Sequence, residues 1–123
     1  MNDKPLIILV AGPYRSGTND DPVLMEHNLQ KMEEAALLIF RAGHIPVVGE
    51  WFALPLLKVA GSKYPGDAIY EEISYPIARR MITRADAILR IEGASKGADG
   101  DVEKAHSLGI PVYYKAEDIP GIS

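Results

Sequence analysis

Leu6-Ile7-Ile8-Leu9-Val10-Ala11-Gly12-Pro13 decides the fold class. Six apolar residues in a row, with no polar alternation, predict a strand buried on both faces, as a parallel sheet covered by helices requires. Gly12-Pro13 ends the strand. The run is far too short to span a bilayer, and no basic region with a small-residue cleavage site accompanies it. It reads as a strand rather than a signal peptide.

Outward from that strand, helices and strands alternate. Asp21-Pro22 is a helix start, with Asp21 as N-cap and proline in the first turn. Met25, Leu29, Met32, Ala36 and Ile39 then recur at spacings of three and four, one apolar helical face that Gly43 closes. Ile45-Pro46-Val47-Val48 is a second strand, whose proline implies either a late start or a place near a sheet edge. Residues 49–58 read as loop followed by a short helix. The turn formers Gly61-Ser62-Lys63-Tyr64-Pro65-Gly66-Asp67 predict a mobile loop. Ile69, Ile73, Ile77 and Met81 predict a helix, with a kink at Pro76 or a restart near Ser74. Ala87–Ile91 is a third strand. Ala98, Val102, Ala105 and Leu108 form the inner face of a last helix, and Ile110–Tyr114 is a fourth strand before an irregular tail. The order β-α-β-α-α-β-α-β predicts an α/β fold in three layers, a doubly wound and mostly parallel sheet of four or five strands with right-handed crossovers.

The composition is that of one globular domain over residues 1–123, with 47% hydrophobic and 24% charged residues. A chain of this length can bury roughly 65–70% of its unfolded surface. A formal net charge of −4 offers no basic face to a nucleic-acid polymer, yet leaves a single nucleotide possible, since that needs only a few local donors. The absence of cysteine removes disulfides, thiolate nucleophiles and thiolate metal ligands, and points to a cytoplasmic setting. His27, His44 and His106 show no metal spacing, and neither a metal nor an organic cofactor is indicated.

Two loops carry the candidate chemistry. Ligands of open α/β sheets gather at the C-terminal ends of strands. Gly12-Pro13-Tyr14-Arg15-Ser16-Gly17 stands there after the first strand. It is neither a Walker loop nor a Gly-x-Gly-x-x-Gly fingerprint, which speaks against ATPase and NAD chemistry. Arg15 supplies a planar fork of donors and the glycines let a phosphate or ribose approach the backbone; an ordinary connecting loop remains the alternative. Ser95-Lys96-Gly97-Ala98-Asp99-Gly100-Asp101 follows the third strand. Asp99 and Asp101 are placed at or just before the helix start, where an acid can cap free N–H groups or face a ligand. Residues two apart on a helix point about 200° apart, so Asp101 and Glu103 cannot both face one site. Asp101 shares a face with the small Ala105. Glu50-Trp51 follows the second strand. The carboxylate suits a sugar hydroxyl and the indole suits a base, or a place in a core or interface. Arg79, Arg80 and Arg84 read as a solvated helix face, with a phosphate or intersubunit role as the alternative.

Taken together these stretches resemble the nucleoside 2-deoxyribosyltransferase-like superfamily, which includes deoxynucleoside 5′-monophosphate N-glycosidases. The resemblance runs from the first strand to Val112-Tyr113. It implies a flavodoxin-like fold, a homo-oligomer in which a neighbour helps close the site, and a nucleoside or nucleotide as substrate. The opening loop would contact sugar and phosphate through Gly12, Tyr14, Arg15, Ser16 and Gly17. Glu50 and Trp51 stand where some members carry an acidic residue. Ser95-Lys96-Gly97-Ala98-Asp99-Gly100-Asp101 is similar to the family's Ser-x-Gly-x-Gly-x-Glu segment, with Ser95 and Gly97 as ligands and Asp101 in the place of the nucleophilic glutamate. The chain departs from the family in that shorter Asp101, and in Pro76 and Ala78 where members often carry a second catalytic acid. Asp86 reads as structural. The expected activity is N-glycosidase or deoxyribosyl transfer through a carboxylate nucleophile, with a non-catalytic nucleotide-binding module as the alternative.

Overall fold

The computed structural model describes residues 4–122. Four strands, β1 (Ile7–Ala11), β2 (Ile45–Val48), β3 (Ala87–Arg90) and β4 (Val112–Tyr113), form one sheet in the order β2-β1-β3-β4. Every pairing is parallel, with Leu9 opposite Val47 on one side and Ile88 on the other, and Leu89 opposite Tyr113. The helices are α1 (Pro22–Arg41), α2 (Gly49–Ala60), α3 (Ala68–Ile82) and α4 (Lys96–Ser107), and a 3-10 turn covers Ala116–Asp118.

The central strand explains the three layers. Alternate residues of a strand point to opposite faces. Ile8 and Val10 pack with Met32, Ala36 and Ile39 of α1 and with Ile119 of the tail. Leu9 and Ala11 pack on the other face with Ile82, Ala98 and Ala105. All four of these β1 side chains are buried, so the strand shows no polar alternation. This is a doubly wound, flavodoxin-like α/β fold. From β1 the chain steps outward to β2 and then returns across the sheet to β3, so the winding reverses between β1 and β3. A crevice outside the strand ends is expected at such a reversal.

Several local expectations are met. Asp21 caps α1, its Oδ1 accepting from the Val23 amide at 2.9 Å. Pro46 lies on an edge strand, where its missing N–H costs no ladder bond. Asp86 is structural, accepting from the Ile7 amide at 2.9 Å to hold β3 beside β1.

Others are corrected. α2 begins directly at Gly49, with no intervening loop. α3 runs unbroken through Pro76, with no restart near Ser74. The residue four back, Glu72, is exposed, so the carbonyl that Pro76 cannot serve has access to water. The loop over residues 61–67 is tied down rather than free. Asp67 accepts from the Lys63 and Tyr70 amides and from the Ser62 hydroxyl, and these bonds hold its carboxyl down at about 2. Leu108 is the 47% exposed C-cap of α4, not part of its inner face. The tail after Lys115 is irregular as expected apart from the 3-10 turn at Ala116–Asp118, and the buried Ile119 anchors it. His44 bridges the two ends of the described chain: Nδ1 accepts from the Leu6 amide at 3.1 Å and Nε2 meets the Pro120 carbonyl at 2.7 Å. Among the described residues no helix is long and apolar enough to cross a membrane.

Candidate functional site

A cavity of about 550 Å3 opens over the C-terminal end of β1, between the β1–α1 loop, the start of α2, one face of α3 and the first turns of α4. It brings together Gly12, Tyr14, Arg15, Ser16, Gly17, Glu50, Ser95, Gly97 and Asp101 from three separate stretches of sequence. Trp51 is left outside. Its Nε1 donates to Glu33 Oε2 of α1 at 2.8 Å on the outer surface, so no base stacks on it in this arrangement.

The β1–α1 loop is a compact turn rather than a flexible strap. The buried Thr18 hydroxyl donates to the Arg15 carbonyl at 2.5 Å and accepts from the Asp20 amide at 3.1 Å. Asn28 of α1 donates to the Tyr14 carbonyl at 2.9 Å. Arg15 is oriented twice over. Its Nε and Nη2 donate to the two carboxylate oxygens of Asp20 at 2.6 and 3.2 Å, and its guanidinium stands 5.5 Å above the centre of the Tyr70 ring. The hydrogen bond that Arg15 donates to Asp20 raises the Arg15 pKa further and lowers that of Asp20. Gly12 must lack a side chain here, since a Cβ would stand 2.8 Å from Ile91 Cβ.

Ser95 is the N-cap of α4, its Oγ accepting from the Ala98 amide at 3.1 Å. Asp99 and Asp101 therefore lie inside the helix, as its fourth and sixth residues, and neither caps it. The first amides of α4 and the positive end of its dipole open beside Ser95, Lys96 and Gly97 in the cavity wall, an arrangement that favours an anion. Arg90 fixes the loop leading to it. Buried at the end of β3, it donates to the Ile91 and Gly93 carbonyls and to Asp99 Oδ1 at 2.9 Å.

Two carboxyls face the same cavity. Burial pushes Glu50 up to about 7, aided by the nearby charge of Asp101 and opposed by a bond from its own backbone. Burial also pushes Asp101 up to about 6, against the bond and charge of Arg79 and the charge of Arg90. Arg79 Nε donates to Asp101 Oδ1 at 3.1 Å. At neutral pH one carboxyl is thus mostly ionised while the other is partly protonated, a division that suits one nucleophile and one acid. Burial raises Tyr14 and carries Tyr70 to about 12, with Glu50 adding to both, so both phenols stay neutral donors.

Tyr70, Ser74 and Tyr75 of α3 line the cavity and escaped the sequence reading, and Ala78, noted there only for the acid it replaces, lines it with them. Tyr70, Ser74 and Ala78 recur every four residues, a polar and small stripe beside the apolar one at Ile69, Ile73 and Ile77. That second stripe is the signal that could have found them. Arg79 escaped as well, because its spacing matches a solvated face. Among the described residues no group of His, Cys, Asp and Glu could hold a metal. Comparison with protein-family models, with curated proteins and with solved structures finds no match to this chain.

Proposed function

We propose that the protein cleaves the N-glycosidic bond of a nucleoside or nucleoside 5′-monophosphate, passing the sugar to water or to a second base. The observation that carries this reading is the pairing of two carboxyls, Glu50 and Asp101, in one cavity, both pushed up by burial and only Asp101 bonded to an arginine. Asp101 is the nucleophile: a carboxylate oxygen bonds to the anomeric carbon while the carbon–nitrogen bond breaks. The electron pair leaves with the base, which takes a proton from Glu50. Water or another base then displaces Asp101 from the sugar and gives up its proton to the Glu50 carboxylate, which restores both groups. The negative charge of Asp101 also stabilises the oxocarbenium-like centre before bonding, as in glycoside hydrolases. Arg15, Ser16 and the α4 amides at Ser95–Gly97 hold the sugar or phosphate end. Tyr14, Tyr70 and Tyr75 supply aromatic surface, taking over the base-stacking role expected of Trp51.

A homo-oligomer belongs to the same reading. Its support is the outer face of α2, where Trp51, Phe52, Leu56 and Val59 are exposed, Val59 by 86%.

A second reading, a nucleotide-binding module without turnover, is favoured by one contact: Arg79 already engages the Asp101 carboxylate. Base release separates the two. The protein is incubated with ribo- and deoxynucleosides and their 5′-monophosphates beside Asp101→Asn, and free base is read by chromatography. Release by wild type and none by the variant is the expected result. A thermal shift from a nucleotide with no release would replace the enzyme by the binding module. Full activity in Asp101→Asn would remove Asp101 from the chemistry.

A further inference from the structure

We propose that Arg79 is the positioning residue of this cavity: it fixes the orientation of Asp101 and keeps it the charged member of the carboxyl pair, so that Asp101 and not Glu50 attacks. The chemistry rests on the glycoside-cleaving reading; the placement does not.

The contact is built from both helices. Arg79 follows Ala78, which lines the cavity, and its Nε reaches Asp101 Oδ1 at 3.1 Å. Its guanidinium lies across Gly100, in space that a Cβ there would occupy, with the Cβ site 3.0 Å from Arg79 Cζ. Glycine within a helix costs about 0.5–1 kcal/mol relative to alanine. The bare backbone of α4 at Gly100 is what seats the guanidinium beside Asp101.

The charges around Asp101 are unequal in kind. Arg90 approaches from β3, but its donors are committed to Asp99 and two carbonyls. Glu50 adds a negative charge from α2. Arg15 and Lys96 also line the cavity, and Arg15 is paired with Asp20. Arg79, from α3, is the cation bonded directly to Asp101. Glu50 enters no ion pair among the described residues. Two carboxyls in one site do not ionise equally, and a cation against one of them decides which does. A planar guanidinium adds direction to charge. Direction matters for a side chain as short as aspartate, since a misplacement of ~1 Å can cost ~100-fold in rate.

The test is a carboxyl-detected NMR titration of the full chain, with Asp101→Asn and Glu50→Gln used to assign the two signals. In wild type Asp101 is expected to titrate below Glu50. In Arg79→Gln its midpoint is expected to rise by about one pH unit or more, to or above that of Glu50. Gly100→Ala gives the same direction by a separate route. Its methyl displaces only the flexible end of Arg79 and favours the helix, so it reports even if Arg79→Gln folds poorly. Arg79→Lys keeps the charge without the fork, and is expected to restore the midpoint more fully than the rate. Where base is released, Arg79→Gln lowers kcat by about 10–100-fold with little change in KM. An Asp101 midpoint unmoved in Arg79→Gln and Gly100→Ala overturns the proposal. If wild type releases no base, the glycosidase reading fails, and the titration still decides what Arg79 does.

Discussion

Arg90 at the end of β3 and Asp99 in the first turn of α4 are joined at 2.9 Å, and the same guanidinium holds the Ile91 and Gly93 carbonyls between them. The sheet thus sets where α4 begins, and with it the position of Ser95, Gly97 and Asp101 over the cavity. Arg90 is 9% exposed, whereas the Asp99 side chain is 70% exposed. The loss in Arg90→Met therefore comes mainly from the two carbonyls left without a donor, on the order of 2–3 kcal/mol. Urea unfolding measures it. Asp99→Asn, which keeps an acceptor at an exposed site, is expected to cost well under half as much.

The two carboxyls make stability fall as pH rises. Glu50 at about 7 and Asp101 at about 6 bind their protons more tightly in the folded chain than when unfolded. Their stabilising contribution is complete below the unfolded values near 4.5 and 3.8, and is lost as pH rises through 6 and 7. Glu50→Gln is expected to melt higher than wild type at pH 8 and to show a flatter profile between pH 5 and 8. Melting curves across that range check this. An unchanged slope in Glu50→Gln would mean that the group titrates normally.

In the proposed reaction the same pair sets the pH profile of base release. The reaction needs Asp101 ionised and Glu50 protonated, so kcat/KM is expected to rise with an acid limb near 6 and to fall with an alkaline limb near 7. The limbs belong to the coupled pair. Glu50→Gln removes the alkaline limb and lowers the plateau by about 100-fold or more. A profile with both limbs intact in Glu50→Gln would assign the proton to another donor.

The apolar face of α2 gives a direct test of assembly. Val59 is 86% exposed next to Leu56 and Phe52, so Val59→Lys places a charge within the stripe without touching the core or the cavity. Light scattering with size exclusion is expected to find a smaller species for Val59→Lys than for wild type, at equal helix content. An unchanged mass would place the contact elsewhere, and a monomeric wild type would remove the oligomer from the reading.

How much of this was legible follows from what each residue's signal depends on. The run from Leu6 to Ala11 identified a central parallel strand because burial on both faces erases alternation, a property of the strand itself. Asp21 identified its helix start because a cap acts on its own next residues. Arg90 and Arg79 could not be read in that way. Each acts on a partner brought near by topology, Arg79 across from α3 to Asp101 of α4. Trp51 misled for the converse reason: adjacency to Glu50 in sequence placed it at the same strand end, but one residue along a helix turns the side chain by about 100°, away from the cavity and onto Glu33. Asp101 was placed correctly relative to Ala105, both buried on one face, although the helix start was misjudged by several residues.

Two helix caps separate stability from ligand binding. Ser95 and Asp21 each accept from an amide in the first turn of their helices, at 3.1 and 2.9 Å, and alanine at either position is expected to cost about 1 kcal/mol. Only Ser95 lines the cavity. Asp21→Ala should therefore lower the melting temperature while leaving the nucleotide-induced shift as large as in wild type. Ser95→Ala should lower both, because frayed amides at the start of α4 no longer present a fixed set of donors to an anion. Thermal melting with and without a saturating 5′-monophosphate measures the two quantities in one experiment. Equal ligand shifts in both variants would show that the α4 N-terminus is a structural terminus alone, and would move the phosphate end of the site to Arg15 and the β1–α1 loop.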